Sequence, residues 1–271
     1  MVSAFIGTIQ LLTTVLLSAP ATVTAYPVVP EPATVTPGPI VPVPSGDTAL
    51  IRKTSDFTIT GKGDAPAWAT TSWQIFTKID SGGRNYTSKS KMLYSAKGIY
   101  LLFSGEDDRI TTKDYKDDED IYEGDVFEFF LHTDPGKPPY FEYEINQLGK
   151  QLILTLARFP HKNLAWSPWK FEYEKDPLIQ RKTVVNSGEK QGVTSGQKQV
   201  GAAISGWTAE LFFPYELLGL LPGVPPKSGT IWRANFCRID YDSGKMVQWT
   251  WSRKINRSFH DLDKFGTILF E

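Results

Sequence analysis

The chain has 271 residues, with 29 Lys and Arg against 30 Asp and Glu, a formal net charge of −1 and a pI near 6.3. That balance excludes the basic field a nucleic-acid surface requires. Hydrophobic residues make up 41% and aromatics 13%, enough to bury the core of one large domain or two small ones, and the 8 Trp, 11 Tyr and 16 Phe favour strands and supply flat binding platforms.

Residues 1–25 read as a secretory leader. The apolar run FIGTIQLLTTVLLSA is too short and too broken by Thr to span a bilayer, and small residues up to Ala25 suit cleavage. No Lys or Arg precedes Arg52, so the usual positive start is missing, and an N-terminal helix or uncleaved anchor is the alternative. The expected location is secreted, periplasmic or at the cell surface. Residues 26–46, YPVVPEPATVTPGPIVPVPSG, are Pro-rich and should form a semi-rigid extended spacer. Residues 47–271 are expected to fold as one domain.

From Thr48 onward the pattern is short strands and turns. Strands are predicted at DFTIT, KMLYSA, GIYLLFSG, DVFEFFLH, YFEYEIN, QLILTLA, KFEYE, QVGAAI, WTAELFFP, TIWRANFCRID, VQWTWS and GTILFE. Turn signals such as SGG, DPGKPP, NQLG, PGVPPKSG and DSG separate them. One short helix is predicted at PYELLGLL, with Pro214 at its start. The fold class is therefore all-β, an antiparallel β-sandwich of jelly-roll or immunoglobulin-like layers with one short helix. Two long connections, residues 106–125 and 251–266, stand out as functional candidates.

The segment DIYEGDVFEFFL, residues 120–131, carries a carboxyl group at the centre of a greasy strand. Alternation puts Phe127, Phe129 and Leu131 on one face and Val126, Glu128 and Phe130 on the other. The wholly apolar set should face the core, leaving Glu128 toward solvent or a ligand. Tyr122 shares its parity if the chain is already extended there. An aromatic ring beside a carboxylate is how proteins hold sugars. The ring covers the C–H face of a pyranose, and the carboxylate accepts from its hydroxyls. The plainer reading is a solvated outer-face residue, or a partner for Arg238.

Other residues carry weaker signals. Cys237, the one cysteine, reads as a small buried core residue. His132, His161 and His260 are too scattered for a zinc site. Trp207 and Trp232 are assigned to the core, while Trp166 and Trp169 are core residues or an extension of a platform. The acidic run 117–120 lacks the spacing of an EF-hand and reads as a solvated loop. The triplets at Asn85 and Asn256 match the N-glycosylation pattern only as chance would allow.

The segments GKGDAPAW, GIYLLFSGED, IYEGDVFEFF, YFEYEINQLG, GWTAELFFPYELL, GTIWRANFCRID and FHDLDKFGTILF occur in this order. In that order the chain resembles carbohydrate-binding module family 9, from about Asp56 to Glu271. The resemblance implies a β-sandwich, structural Ca²⁺, and capture of the reducing end of a glycan between two aromatic rings. By position, the first aromatic is Tyr122, the strand carboxylate Glu128, the amide Asn256 and the second aromatic Phe259. The family's usual Trp pair is thus Tyr and Phe, and its arginine has no match in YFEYEIN, where Glu142 and Glu144 stand instead. His260 either donates to a sugar hydroxyl or caps its loop. No metal ligands are assigned by sequence. The implied function is a non-catalytic domain that binds an oligosaccharide or polysaccharide, beside a separate glycoside hydrolase, in support of polysaccharide breakdown. Protonation of Glu128 below about pH 4 should then weaken binding.

Three alternatives stand. A glycoside hydrolase would pair Glu128 with Glu144 or Asp125. A haem-binding sandwich would draw on Met92 and His260. A purely structural sandwich would need no site.

Overall fold

A computed structural model describes residues 47–159, 162–166, 179–187, 190–194, 200–253, 255 and 258–271. The expected leader and spacer, the strand KFEYE, His161, Trp169, Asn256 and the side chain of Trp166 lie outside the described residues.

The strands are β1 (Thr48–Lys53), β2 (Gln74–Ile75), β3 (Thr77–Lys78), β4 (Ser88–Tyr94), β5 (Gly98–Gly105), β6 (Val126–His132), β7 (Pro139–Asn146), β8 (Gln151–Phe159) and β9 (Lys162–Trp166). After them come β10 (Gln180–Ser187), β11 (Lys190–Thr194), β12 (Gly206–Pro214), β13 (Ile231–Asp240), β14 (Val247–Thr250) and β15 (Gly266–Phe270). Their spatial order is β11-β10-β12-β5-β4-β1-β15-β13-β6-β7-β8-β9. All neighbours in this order are antiparallel except at β1. Thr48–Ile51 of β1 pair in parallel with β15, and Arg52–Lys53 pair in parallel with β4. One strand thus passes from layer to layer and makes the sandwich a single curled sheet.

Alternation is obeyed where sequence said it would be. Phe127, Phe129 and Leu131 of β6 face the space between the layers, with Phe141, Tyr143 and Ile145 of β7. They meet Leu101 and Phe103 of β5 and Ala209, Leu211 and Phe213 of β12. Phe127 stacks on Phe103 at 4.9 Å between centroids and packs on Trp207 at 4.3 Å. Trp207, Trp232 and Cys237 are buried as expected.

Both outer faces are also covered. The face of β5 and β12 carrying Tyr100, Leu102 and Phe212 lies under Phe57, Ile59 and Trp68. Glu210 fastens this cover. Its carboxyl group accepts from Thr60 N and Gly61 N at 2.8 Å each, from Gly63 N at 3.4 Å and from Trp68 Nε1 at 2.7 Å. Gly61 has φ of +87°, and a Cβ there would stand 3.0 Å from Val184 Cγ2, so only glycine brings its N–H to the carboxyl group. The opposite outer face, that of β6, β7, β8 and β13, lies under Ile255, Phe259, Leu262 and Phe265 from the loop before β15.

Several sequence expectations change. DFTIT is not a strand: Phe57 N donates to Tyr100 Oη at 3.2 Å and Thr60 N to Glu210 at 2.8 Å, rather than to a neighbouring strand. QVGAAI makes one isolated bridge, Arg109 to Ala203. The segment after Pro214 is a chain of turns, with Leu217 N, Gly219 N and Leu221 N each bonding three residues back. The short helices that do form are 3₁₀ turns at Pro66–Thr70, Ile121–Glu123 and Leu262–Lys264. In the acidic run, Asp117 pairs with Arg181 at 2.5 Å, so that residue is anchored rather than solvated.

Replacing Glu210 with Ala strands several buried donors at once. Urea denaturation of Glu210→Ala is expected to show a loss of about 2–4 kcal/mol, whereas an unchanged midpoint would mean that the cover does not depend on this residue.

Candidate binding pocket

Antiparallel register sets three carboxyl groups side by side. Glu128 of β6 lies opposite Glu144 of β7, and Glu142 follows Glu144's face two residues away. One oxygen from each of Glu128, Glu142 and Glu144 lies within 4.8 Å of the others. They floor a pocket of about 340 Å³, walled by Tyr122, Leu154, Leu156, Ile239, Phe259 and His260.

Glu128 is therefore on the face that alternation assigned to it, but it is not open to bulk solvent. It is only 3% exposed, and Glu142 and Glu144 are 4% and 2% exposed. Arg238 is no partner for it. It lies opposite Phe127 on the other face of the sheet and bonds Asp107 at 3.1 Å and Asp240 at 2.6 Å.

Burial dominates the ionisation of the three groups. Desolvation, with repulsion from Glu142, pushes Glu128 well above the usual carboxyl range. Desolvation, repulsion from Glu128 and Glu142 and a hydrogen bond with Glu142 do the same to Glu144. Burial pushes Glu142 up to about 7, opposed by its hydrogen bond with Glu144. Among the described residues, the buried Oε2 atoms of Glu142 and Glu144 receive no bond from a backbone, amide or hydroxyl donor. A proton shared between the two carboxyl groups would join them. The expected weakening of binding below about pH 4 is thus displaced upward, because these carboxyl groups take up protons far above their ordinary values.

The structure brings together Tyr122, Glu128, Phe259 and His260. Tyr122 reaches the pocket from a 3₁₀ turn, not from an extension of β6, and is 40% exposed. Phe259 is 5% exposed and packs against Phe130 at 6.3 Å, so most of its ring belongs to the core. His260 Nδ1 lies 3.0 Å from Tyr140 Oη and 3.8 Å from Glu142 Oε2, and burial lowers its pKa. Met92 lies in the core between the layers, away from His260, which leaves the haem reading without a ligand pair.

Sequence reasoning weighed Glu144 only as a hydrolase partner of Glu128 and gave neither Glu142 nor Glu144 a sugar-binding role. Their i, i+2 spacing shows that they share a face, but only the β6–β7 register shows that it is Glu128's face. It also missed a second acidic group. Asp107, Asp125, Asp240 and Asp242 each place an oxygen within 4.8 Å of the others, though they come from distant parts of the chain. Burial pushes Asp107 up to about 7 despite Arg238 beside it, and pushes Asp125 up to about 9, aided by repulsion from Asp240 and Asp107. Gln147 donates to both at 2.7 and 3.1 Å, while its own buried Oε1 has no partner. Arg238 pairs with Asp107 and Asp240, and Arg109 with Asp242 at 3.7 Å; four aspartates against two arginines leave hard oxygens with excess negative charge, a donor set that fits a divalent cation such as Ca²⁺.

Residues 59–154 match the family model described as "Carbohydrate family 9 binding domain-like". The resemblance is to carbohydrate-binding module family 9. Two solved structures of a family 9 carbohydrate-binding module from Caldicellulosiruptor kristjanssonii, in complex with glucose and with cellotriose, share this fold with TM-scores of 0.55 at 16% identity. The alignments cover 83% of this chain in both cases and 95% and 93% of those chains. A protein of Bacteroides uniformis, provisionally assigned as carbohydrate-binding, aligns with a TM-score of 0.63 at 17% identity, over 84% of this chain and 100% of that one. No curated protein matches the chain. The fold is that of a family 9 module, and among the described residues no helix is long and apolar enough to cross a membrane.

The folded chain holds protons that the unfolded chain releases above the ordinary value of 4.5. The stability they contribute is complete below that value and is lost as pH rises through the folded values. For Glu142 alone, at about 7 against 4.5, the loss is on the order of 3 kcal/mol. Asp107, Asp125 and Asp240 are raised too and act in the same direction. The urea midpoint should therefore fall between pH 5 and pH 8, and Glu144→Gln, which cannot ionise, should make the fall shallower. A flat profile in the unsubstituted protein would contradict the buried acid cluster.

Proposed function

We propose that this is a non-catalytic carbohydrate-binding domain that captures a glycan at its reducing end in the pocket floored by Glu128. The observation that carries this reading is the pocket itself. It joins an exposed aromatic ring, Tyr122, to unsatisfied carboxyl oxygens and a neutral imidazole. An apolar wall with a few convergent polar groups is what a sugar ring requires. The family 9 fold and the sugar complexes of its structural relatives support it. The reading extends to export by residues 1–25, a spacer at 26–46, a role in polysaccharide breakdown beside a separate glycoside hydrolase, and structural Ca²⁺ at Asp107, Asp125, Asp240 and Asp242.

Hydrolysis is disfavoured by placement. A glycosidase sets its acid and its nucleophile or base on either side of the scissile bond. Here Glu128, Glu142 and Glu144 share one wall on adjacent strands, and Asp125 belongs to the other acidic group.

Calorimetry against gluco-oligosaccharides should show binding that is lost after borohydride reduction. Tyr122→Ala should weaken it about three- to tenfold. Retention of affinity by the reduced sugars would move the site to chain-internal units, and absence of binding to any glycan would remove the proposal.

Saturating Ca²⁺ should raise the thermal midpoint, by about 2.7 kcal/mol of added stability at a hundredfold excess over Kd. Asp125→Asn should abolish that increment. An identical midpoint in Ca²⁺ and in chelator would show that Arg238 and protons suffice to hold the cluster.

A further inference from the structure

In β7, where the family 9 resemblance implies an arginine, Glu142 and Glu144 stand instead. This changes what the pocket can hold. Its floor is acceptor-rich and donor-poor. Three carboxyl groups converge within 4.8 Å, and among the described residues no donor bonds the two buried Oε2 atoms of Glu142 and Glu144. Among the described lining residues none is Lys or Arg, and the imidazole of His260 is the only basic group. A neutral sugar would bring hydroxyl donors, but it would leave these carboxyl groups protonated or uncompensated. A ligand that carries its own cation would balance one ionised carboxylate and donate to the lone pairs of all three.

We propose, on the basis of the sugar-binding reading above, that the pocket selects an amino sugar bearing a free primary ammonium group, held by Glu128, Glu142 and Glu144. The spacing suits this group. Three oxygens each about 2.8 Å from one tetrahedral nitrogen stand about 4.6 Å apart, and an ammonium has three N–H bonds to give. The walls suit it as well. Tyr122 offers an exposed ring to the pyranose face or to the cation, while Leu154, Leu156 and Ile239 exclude water and strengthen the pairing. A divalent cation, which takes six to eight oxygen ligands, would draw on the same carboxyl groups, and the chelator arm of the test below separates the two occupants. One ammonium balances one ionised carboxylate, so on binding one of the three acids gives up its proton while the other two stay protonated and accept the remaining N–H bonds through their carbonyl oxygens.

The test is calorimetry of the purified full chain, at neutral pH, with glucosamine, glucose and N-acetylglucosamine and with the short oligomers of each. The expected result is roughly tenfold or greater preference for the free amine over both neutral sugars, as a charge-assisted set of hydrogen bonds requires. Glu142→Gln and Glu144→Gln, each of which removes a carboxylate without removing volume, should collapse that ratio toward one. Two isosteric variants keep the test meaningful should either fold poorly. Equal affinity for glucosamine and glucose would overturn the inference and leave the sugar-binding reading intact. Neutral-sugar binding that requires Ca²⁺ and is lost with chelator and in both variants would make the cluster a metal site and overturn it as well. Failure of every sugar to bind would remove the reading on which it rests, and the inference with it.

Discussion

The constraint that governs this molecule is the cost of placing a carboxyl group inside a sandwich whose outer faces are both covered. Each such group needs donors, a counter-charge or a proton. The chain meets that requirement in three different ways. Glu210 is surrounded by backbone and indole donors and works as a clasp. Asp107 and Asp240 share the guanidinium of Arg238. Among the described residues, Glu142 and Glu144 each leave a buried oxygen without a donor, and burial drives all three glutamates of the pocket toward the protonated form. A group left in that state by the protein is one that something else can complete.

The two outer faces make the contrast direct. On one, a loop carrying Phe57, Ile59 and Trp68 closes fully over apolar residues, and its single acid is satisfied. On the other, the loop carrying Ile255, Phe259 and Leu262 closes over Val126 and Phe130 but leaves a pocket above the three glutamates. The same architectural device, a loop laid across a sheet face, gives a structural seal on one side and a binding concavity on the other. The difference is that Glu210 is met by the backbone and indole donors of its cover, whereas the three glutamates line an open pocket.

Much of this was legible in the sequence, and the reasons are local. Alternation in VFEFFL assigned every β6 side chain to its correct face, because period 2 leaves no other choice once one set is wholly apolar. The strands GIYLLFSG and IWRANFCRID were found for the same reason. The first strand, TALIRK, was passed over because its importance is topological. It joins the layers by pairing in parallel with two different strands, and nothing within six residues reveals that. DFTIT looked like a strand, but Thr60 N donates to Glu210, 150 residues away, and Phe57 N to the Tyr100 hydroxyl. The site was half visible. Tyr122, Glu128, Phe259 and His260 converge, whereas the partnership of Glu128 with Glu144 depends on the hairpin register, which composition does not encode. The aspartates at 107, 125, 240 and 242 are brought together only by the closed fold.

The most direct measurement follows the carboxyl groups themselves. Carbon-13 spectra of protein labelled at the glutamate side chains, titrated with and without glucosamine, report which groups hold protons and which respond to ligand. The account predicts three glutamate resonances that titrate well above the ordinary value of 4.5 and shift when the sugar is added, with their assignment to Glu128, Glu142 and Glu144 made by single Gln substitutions. Ordinary titration of every glutamate, or three raised groups indifferent to the sugar, would contradict it.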